Sequence, residues 1–80
     1  MDTLERVREI IADVTQNSVE HITERSAATN VDGWDDTAQM SIIAAIEMDF
    51  GVLFPEREAT TLNSVRKIVL ALRDQEELAA

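Results

Sequence analysis

Residues 33–50 read Gly33-Trp34-Asp35-Asp36-Thr37-Ala38-Gln39-Met40-Ser41-Ile42-Ile43-Ala44-Ala45-Ile46-Glu47-Met48-Asp49-Phe50, and this stretch decides the fold. Met40, Ile43, Ile46 and Phe50 recur at intervals of three and four. That spacing places them on one side of a helix, and Ile42 widens the stripe. Asp35 or Asp36 supplies a carboxylate at the start, where it caps free N–H groups and suits the positive end of the helix dipole. Gly51 follows the last apolar residue. A glycine there accepts the left-handed conformation that ends many helices. The segment predicts a helix from Asp35 or Asp36 to about Phe50.

The same logic extends outward. Leu4, Val7, Ile10, Ile11 and Val14 have helical spacing, with charged residues in the gaps. They predict a first helix over about 3–16, capped by Asp2 or Thr3 and stopped by Asn17 and Ser18. Residues 17–35 are rich in Ser, Thr, Asn, Asp and Gly, which reads as a long irregular connection. Val19, Ile22 and Val31 are its apolar anchors. After Gly51, Pro55-Glu56 opens a short helix ending near Thr60, with proline in the favoured first-turn position. Leu62 reads as a buried plug. Asn63 caps a last helix whose stripe is Val65, Ile68, Val69 and Leu72, fraying at Asp74, Glu76 and Glu77. No run alternates with a period of two, so no sheet is expected, and nothing repeats. Residues 1–80 are predicted to be one all-α domain: a four-helix bundle of three main helices and a short third one, with a long first loop.

Composition narrows the function classes. The chain has 7 Lys plus Arg against 16 Asp plus Glu, for a net charge of −9. Apolar residues are 45%, too many for a disordered acidic tail. The absence of cysteine removes disulfides, thiolate metal sites and cysteine nucleophiles. No apolar run approaches the roughly 20 residues that span a bilayer. The segment Met1–Ile10 is charged throughout, unlike a secretory leader, and the reading is cytoplasmic. The acidic balance argues against nucleic acid and anionic membranes and favours partners with basic surfaces. Residues 31–55 hold Asp32, Asp35, Asp36, Glu47 and Asp49 and no base, so −5 of the −9 falls there. The commoner fate of such a cluster is a solvated helix face.

Catalytic machinery is not legible. His21 is the one histidine and Lys67 the one lysine, and His21 reads as a loop residue. No serine or threonine has a base at triad spacing. Gly33 and Gly51 are the only glycines, so there is no phosphate-cradling loop. The chain reads as a non-enzyme. Asn30, Asp32, Asp35 and Asp36 surround Gly33, but a calcium loop wants a glutamate at its twelfth position. That position falls on Ser41 or Ile43. No dedicated metal site follows.

The segment opening at Gly33 resembles the second helix of acyl carrier proteins. Members of that family commonly read Trp-Asp-Ser-Leu and then an amphipathic helix closing on Ala-Ile-Glu-x-x-Phe-Gly. Trp34-Asp35, Ile42-Ile43, Ala45-Ile46-Glu47, Phe50-Gly51 and Phe54-Pro55 stand in the family's places. So do Glu5-Arg6-Val7 and Ile10-Ile11 in the first helix, and Leu62-Asn63-Ser64-Val65 before the last. The resemblance covers residues 4 to about 72, and the joint spacing is more specific than any single match. It implies an acyl-carrier-like bundle.

The departure falls at the family's functional centre. There the serine after the aspartate carries 4′-phosphopantetheine, attached by a separate transferase. Here that position is Asp36, and the following leucine position is Thr37. A carboxylate does not form the stable phosphodiester that a hydroxyl forms. The Thr37 hydroxyl sits one residue on, rotated by about 100° on a helix and crowded by its methyl. Modification is therefore expected at neither residue, and no cofactor is expected. Serine and aspartate both cap helices, so the fold tolerates Asp36. Its fixed charge stands near where the family places a phosphate.

The resemblance also implies partners: acyl- or aminoacyl-handling enzymes with basic docking patches, met by a monomer. The surface it implies comprises Trp34, Asp35, Asp36, Met40, Glu47 and Met48. Asp35 and Glu47 match places where the family is acidic, whereas Ala38, Ser41 and Met48 replace acids frequent in fatty-acid carriers. This suits a specialised partner, with Met48 as an apolar contact. For Trp34 the competing role is packing the loop on the core. Met40, Ile46, Phe50, Leu62 and Ile68 would line an acyl-chain cavity or, more simply, form the core. Two other functions stay open: a genuine carrier in a specialised biosynthetic pathway with an altered or engineered attachment residue, and an acidic adaptor or cation-binding helical module.

Overall fold

A computed structural model describes the backbone of residues 2–79 and the side chains of residues 2–76. Helix α1 spans Thr3–Thr15, a 3₁₀ turn spans Val19–His21, α2 spans Asp36–Phe50, α3 spans Glu56–Ala59, and α4 spans Val65–Ala79. No strand occurs among the described residues, which makes the domain all-α. α1 is the central element: it packs against α2, α4 and the 3₁₀ turn.

Helix α1 begins where Asp2 Oδ1 accepts from the Leu4 N–H at 3.1 Å. It ends with Gln16 in the left-handed region at φ 62°. A residue with a Cβ is uncommon there, and here the Gln16 side chain donates to the Asp13 carbonyl at 2.8 Å. Val7, Ile10 and Ile11 are buried as the spacing requires, with Leu4 and Val14 partly covered.

The long connection is tied down by polar side chains more than by apolar anchors. Of the three anchors expected from sequence, Ile22 is buried, Val31 is half-buried and Val19 lies largely in solvent. The Arg8 guanidinium holds the loop by donating to the Val19 and Ile22 carbonyls. Ser26 is buried; its hydroxyl accepts from the Thr23 N–H at 2.8 Å, and its carbonyl accepts from the Val65 N–H at 3.0 Å. Ala27 and Ser64 form an isolated antiparallel bridge, with the Ala28 N–H donating to the Asn63 carbonyl at 2.9 Å. The loop thus reaches the start of α4. At its far end Gly33 has φ 85°, and a Cβ there would lie 2.9 Å from the Thr15 carbonyl oxygen. Glycine lets the loop close onto the end of α1.

Several boundaries differ from the sequence-based expectation. Asp35 caps α2 through a 2.8 Å bond from the Ala38 N–H, leaving Asp36 as the first helical residue. The cap of α4 is Ser64, whose hydroxyl accepts from the Lys67 N–H at 3.1 Å; Asn63 instead binds the Lys67 ammonium. Pro55 precedes α3 as its cap residue rather than opening its first turn. Helix α4 continues through Ala79 instead of fraying at Asp74.

The core is small and isoleucine-rich. Val7, Ile11, Ile22, Ile42, Ile46, Val65 and Ile68 are fully enclosed, with Trp34, Phe54, Leu62 and Leu72 around them. Burying side chains of this size stabilises by about 1.5–3 kcal/mol each. Among the described residues, every buried side-chain nitrogen or oxygen has a hydrogen-bond partner.

Candidate functional site

The start of α2 places two neighbouring carboxylates in different roles. Asp35 is committed to the helix cap. Asp36 is exposed and has no hydrogen-bond partner among the described side chains. The Asp36 carboxylate therefore faces solvent in the first turn, where the helix dipole favours it. It offers no hydroxyl to esterify. Thr37 is exposed beside it.

Beyond Asp36 the outer face of α2 is weakly polar. At about 100° per residue, Asp36, Met40, Ala44, Thr37, Met48 and Ser41 fall within an arc of about 140°. All six are exposed. Met40 is 48% and Met48 87% accessible. Met40 thus lies on the exposed side and not in the buried stripe, where the spacing also placed it. Its inner-face place is taken by Gln39, which is buried. A window containing both residues fits the helical period either way, and packing resolved it.

Gln39 is the residue that sequence reasoning missed. Its Oε1 accepts from Trp34 Nε1 at 2.6 Å, and its Nε2 donates to the Ala59 and Leu62 carbonyls, both at 2.9 Å. One amide joins the first loop, α2 and the turn between α3 and α4. The only advance signal was a polar side chain on the apolar side of the helical wheel. Trp34 is consequently interior, with 4% of its surface accessible. Its role here is packing, and it is withdrawn from the outer contact surface.

Two further acids of the middle third tie elements together, Glu47 half-buried and Asp49 at the surface. Glu47 Oε2 accepts from the Phe54 N–H at 2.8 Å, so Glu47 ties the end of α2 to the following segment. Asp49 receives both Arg6 Nε at 2.9 Å and Arg6 Nη2 at 2.8 Å. This forked pair joins α1 to α2. The hydrogen bonds from Arg6 hold the Asp49 carboxyl below its ordinary pKa, and Asp49 raises that of the guanidinium. The acidic surface narrows to Asp32, Asp35 and Asp36 around the α2 start.

Of the residues suggested for an acyl cavity, Ile46, Leu62 and Ile68 belong to the packed core, with Phe50 against it, as the simpler reading had them. Met40 is on the surface. An open groove at the far end of α2 is lined by Phe50, Gly51, Val52, Leu53, Leu72, Gln75 and Glu76. Phe50 is the one shared residue. Around Gly33, the exposed Asn30 is engaged by the loop backbone: its Oδ1 accepts from the Ala27 N–H and its Nδ2 donates to the Arg25 carbonyl. Among the described residues no group of three or more His, Asp or Glu side chains is placed to hold a metal ion. Among them no helix is long and apolar enough to cross a membrane.

Among the described residues, fold and site together define a small all-α domain in which the exposed methionines of α2 follow an unpaired carboxylate. No protein-family model matches the chain, and no curated protein matches it.

Proposed function

We propose that this chain is an acyl-carrier-like docking domain that carries no arm of its own. It presents the start and outer face of α2 to an acyl- or aminoacyl-handling enzyme whose docking patch is basic. The observation that supports this most is the face itself: the unpaired Asp36 carboxylate, with Met40, Ala44 and Met48 behind it. Scattered exposed apolar residues are ordinary, but aligned ones beside a charge mark contact surfaces. The arrangement of a long first loop, a short α3 and a capped α2 is in keeping with the family resemblance.

The charge steers the encounter and the methionines supply adaptable apolar contact. In this reading Asp36 acts by its fixed charge where a carrier would present a phosphate. The second reading, a carrier loaded at an altered site, draws on the exposed Thr37 hydroxyl.

Co-expression with a promiscuous phosphopantetheinyl transferase, followed by intact-mass measurement, separates the two. The native chain is expected to show no added mass, and the Asp36→Ser, Thr37→Leu variant is expected to gain the arm. Added mass mapped to Thr37 in the native chain supports the second reading and overturns the first. Titrating the labelled native chain with the same transferase tests docking, with amide shifts expected at Asp36, Thr37, Met40, Ala44 and Met48. Shifts confined to other faces would reject the α2 surface.

A further inference from the structure

A second surface lies on the opposite side of the chain's charge balance. Despite 16 acids in the sequence, few of its 7 bases are matched by them. Arg6 pairs with Asp49 and Glu9, Arg8 is used by loop carbonyls, and Lys67 binds Asn63. Among the described residues, Arg66 and Arg73 make no ion pair. Both line a groove of about 240 Å³ with Leu4, Glu24, Val69 and Leu70. Leu70, between the arginines on α4, is 51% accessible. Residues 66, 70 and 73 follow the i, i+4, i+7 rule, so two guanidinium groups flank one apolar side chain at a separation of about 10 Å along the helix.

We infer that this groove between α1 and α4 is a second docking surface and that its occupant is an acidic amphipathic helix on a partner protein. The fitting helix carries carboxylates at i and i+7 and a leucine-sized side chain between them. That pattern meets Arg66 and Arg73 with opposite charge and sets an apolar group against Leu70, Val69 and Leu4. The chain's net charge selects this occupant over an anionic membrane. An extended anionic surface is disfavoured by the acidic balance of the chain, whereas a single helix seated in the groove brings its carboxylates within one Debye length, about 8 Å, of both arginines. Among the described residues lining the groove, Glu24 is the carboxylate that competes for them. This surface is independent of the α2 reading, since it uses none of the same residues.

The test uses the full chain, isotope-labelled, and a synthetic helical peptide with Glu at i and i+7 and Leu at i+3. A second peptide has Lys in place of each Glu. Saturable amide shifts at Leu4, Arg66, Val69, Leu70 and Arg73 are expected with the first peptide and not the second. Arg66→Glu with Arg73→Glu is expected to weaken binding at least about tenfold, and Leu70→Ser about fivefold. Glu24→Gln is expected to strengthen it by about twofold to fivefold, an effect that loss of structure would not produce. Circular dichroism confirms that each variant is folded.

Equal binding of both peptides, or unchanged affinity in the folded double-arginine variant, overturns the inference. So does arginine-dependent binding to vesicles of equal phosphatidylcholine and phosphatidylserine, which would make this a membrane surface. Arginine-dependent dimerisation by light scattering would assign the groove to a second copy of the chain and likewise overturn it.

Discussion

Along α2, Ile42, Ile43 and Ile46 on one side and Met40, Ala44 and Met48 on the other are comparably apolar, yet the rest of the chain covers only the first set. A helix that is apolar all round is normally buried all round. Here one side is enclosed by the core, while the other stands in solvent behind Asp36. The inner face holds the fold together, and the outer face is left uncovered by the other described residues. The two sides also differ in their polar groups. Inside, Gln39 has every hydrogen bond it needs; outside, Asp36 makes no ion pair among the described residues.

That contrast fixes a ranking of substitutions, all measurable by chemical denaturation with Trp34, the one tryptophan, as the fluorescent probe. Ile46→Ala should cost the most, about 3–4 kcal/mol, because it leaves a cavity in a fully packed site. A cost below about 1 kcal/mol would mean that the inner face is loosely packed. Gln39→Leu follows at about 2–3 kcal/mol: it keeps the volume but strands the Trp34 N–H and two carbonyls inside the protein. A shift in Trp34 emission should accompany it, and an unchanged spectrum would argue against the Trp34–Gln39 bond.

The neighbouring aspartates sharpen the comparison further. Asp35→Ala should destabilise by about 1 kcal/mol through loss of the cap. Asp36→Ala should cost less than half of that, at the low end of the about 0.3–1 kcal/mol that an exposed first-turn charge contributes before screening by salt. Equal losses would mean that the cap is shared. The smallest effect on stability belongs to Met40→Ser with Met48→Ser, within about 0.5 kcal/mol. The same pair should nevertheless weaken docking to a basic partner enzyme, read from the amide shifts along α2. Unchanged docking would remove the outer face from the function proposed for it.

Much of the architecture was legible in the residues. The spacing in α1 and α4 placed Val7, Ile10, Ile11, Val65, Ile68, Val69 and Leu72 inside, and all are buried. Gly51 predicted the end of α2, and it occupies the left-handed region at φ 67°. These features depend on local period and local conformation, which the sequence carries directly. The candidate site was half legible. Asp36 and Met48 are exposed as a contact surface needs, whereas Trp34, Glu47 and the Met40–Gln39 choice were decided elsewhere.

The sequence alone set the helical class, the positions of the three long helices and the absence of a hydroxyl at position 36. Tertiary structure alone decided which acids remain available. Asp49 reaches Arg6 across 43 positions in the chain, and Glu47 reaches Phe54. It also chose Gln39 over Met40 for the interior, because the Trp34 N–H and two carbonyls near α3 converge on that point. Helical period is a property of neighbours along the chain. Charge pairing and hydrogen-bond satisfaction depend on groups that only folding brings together.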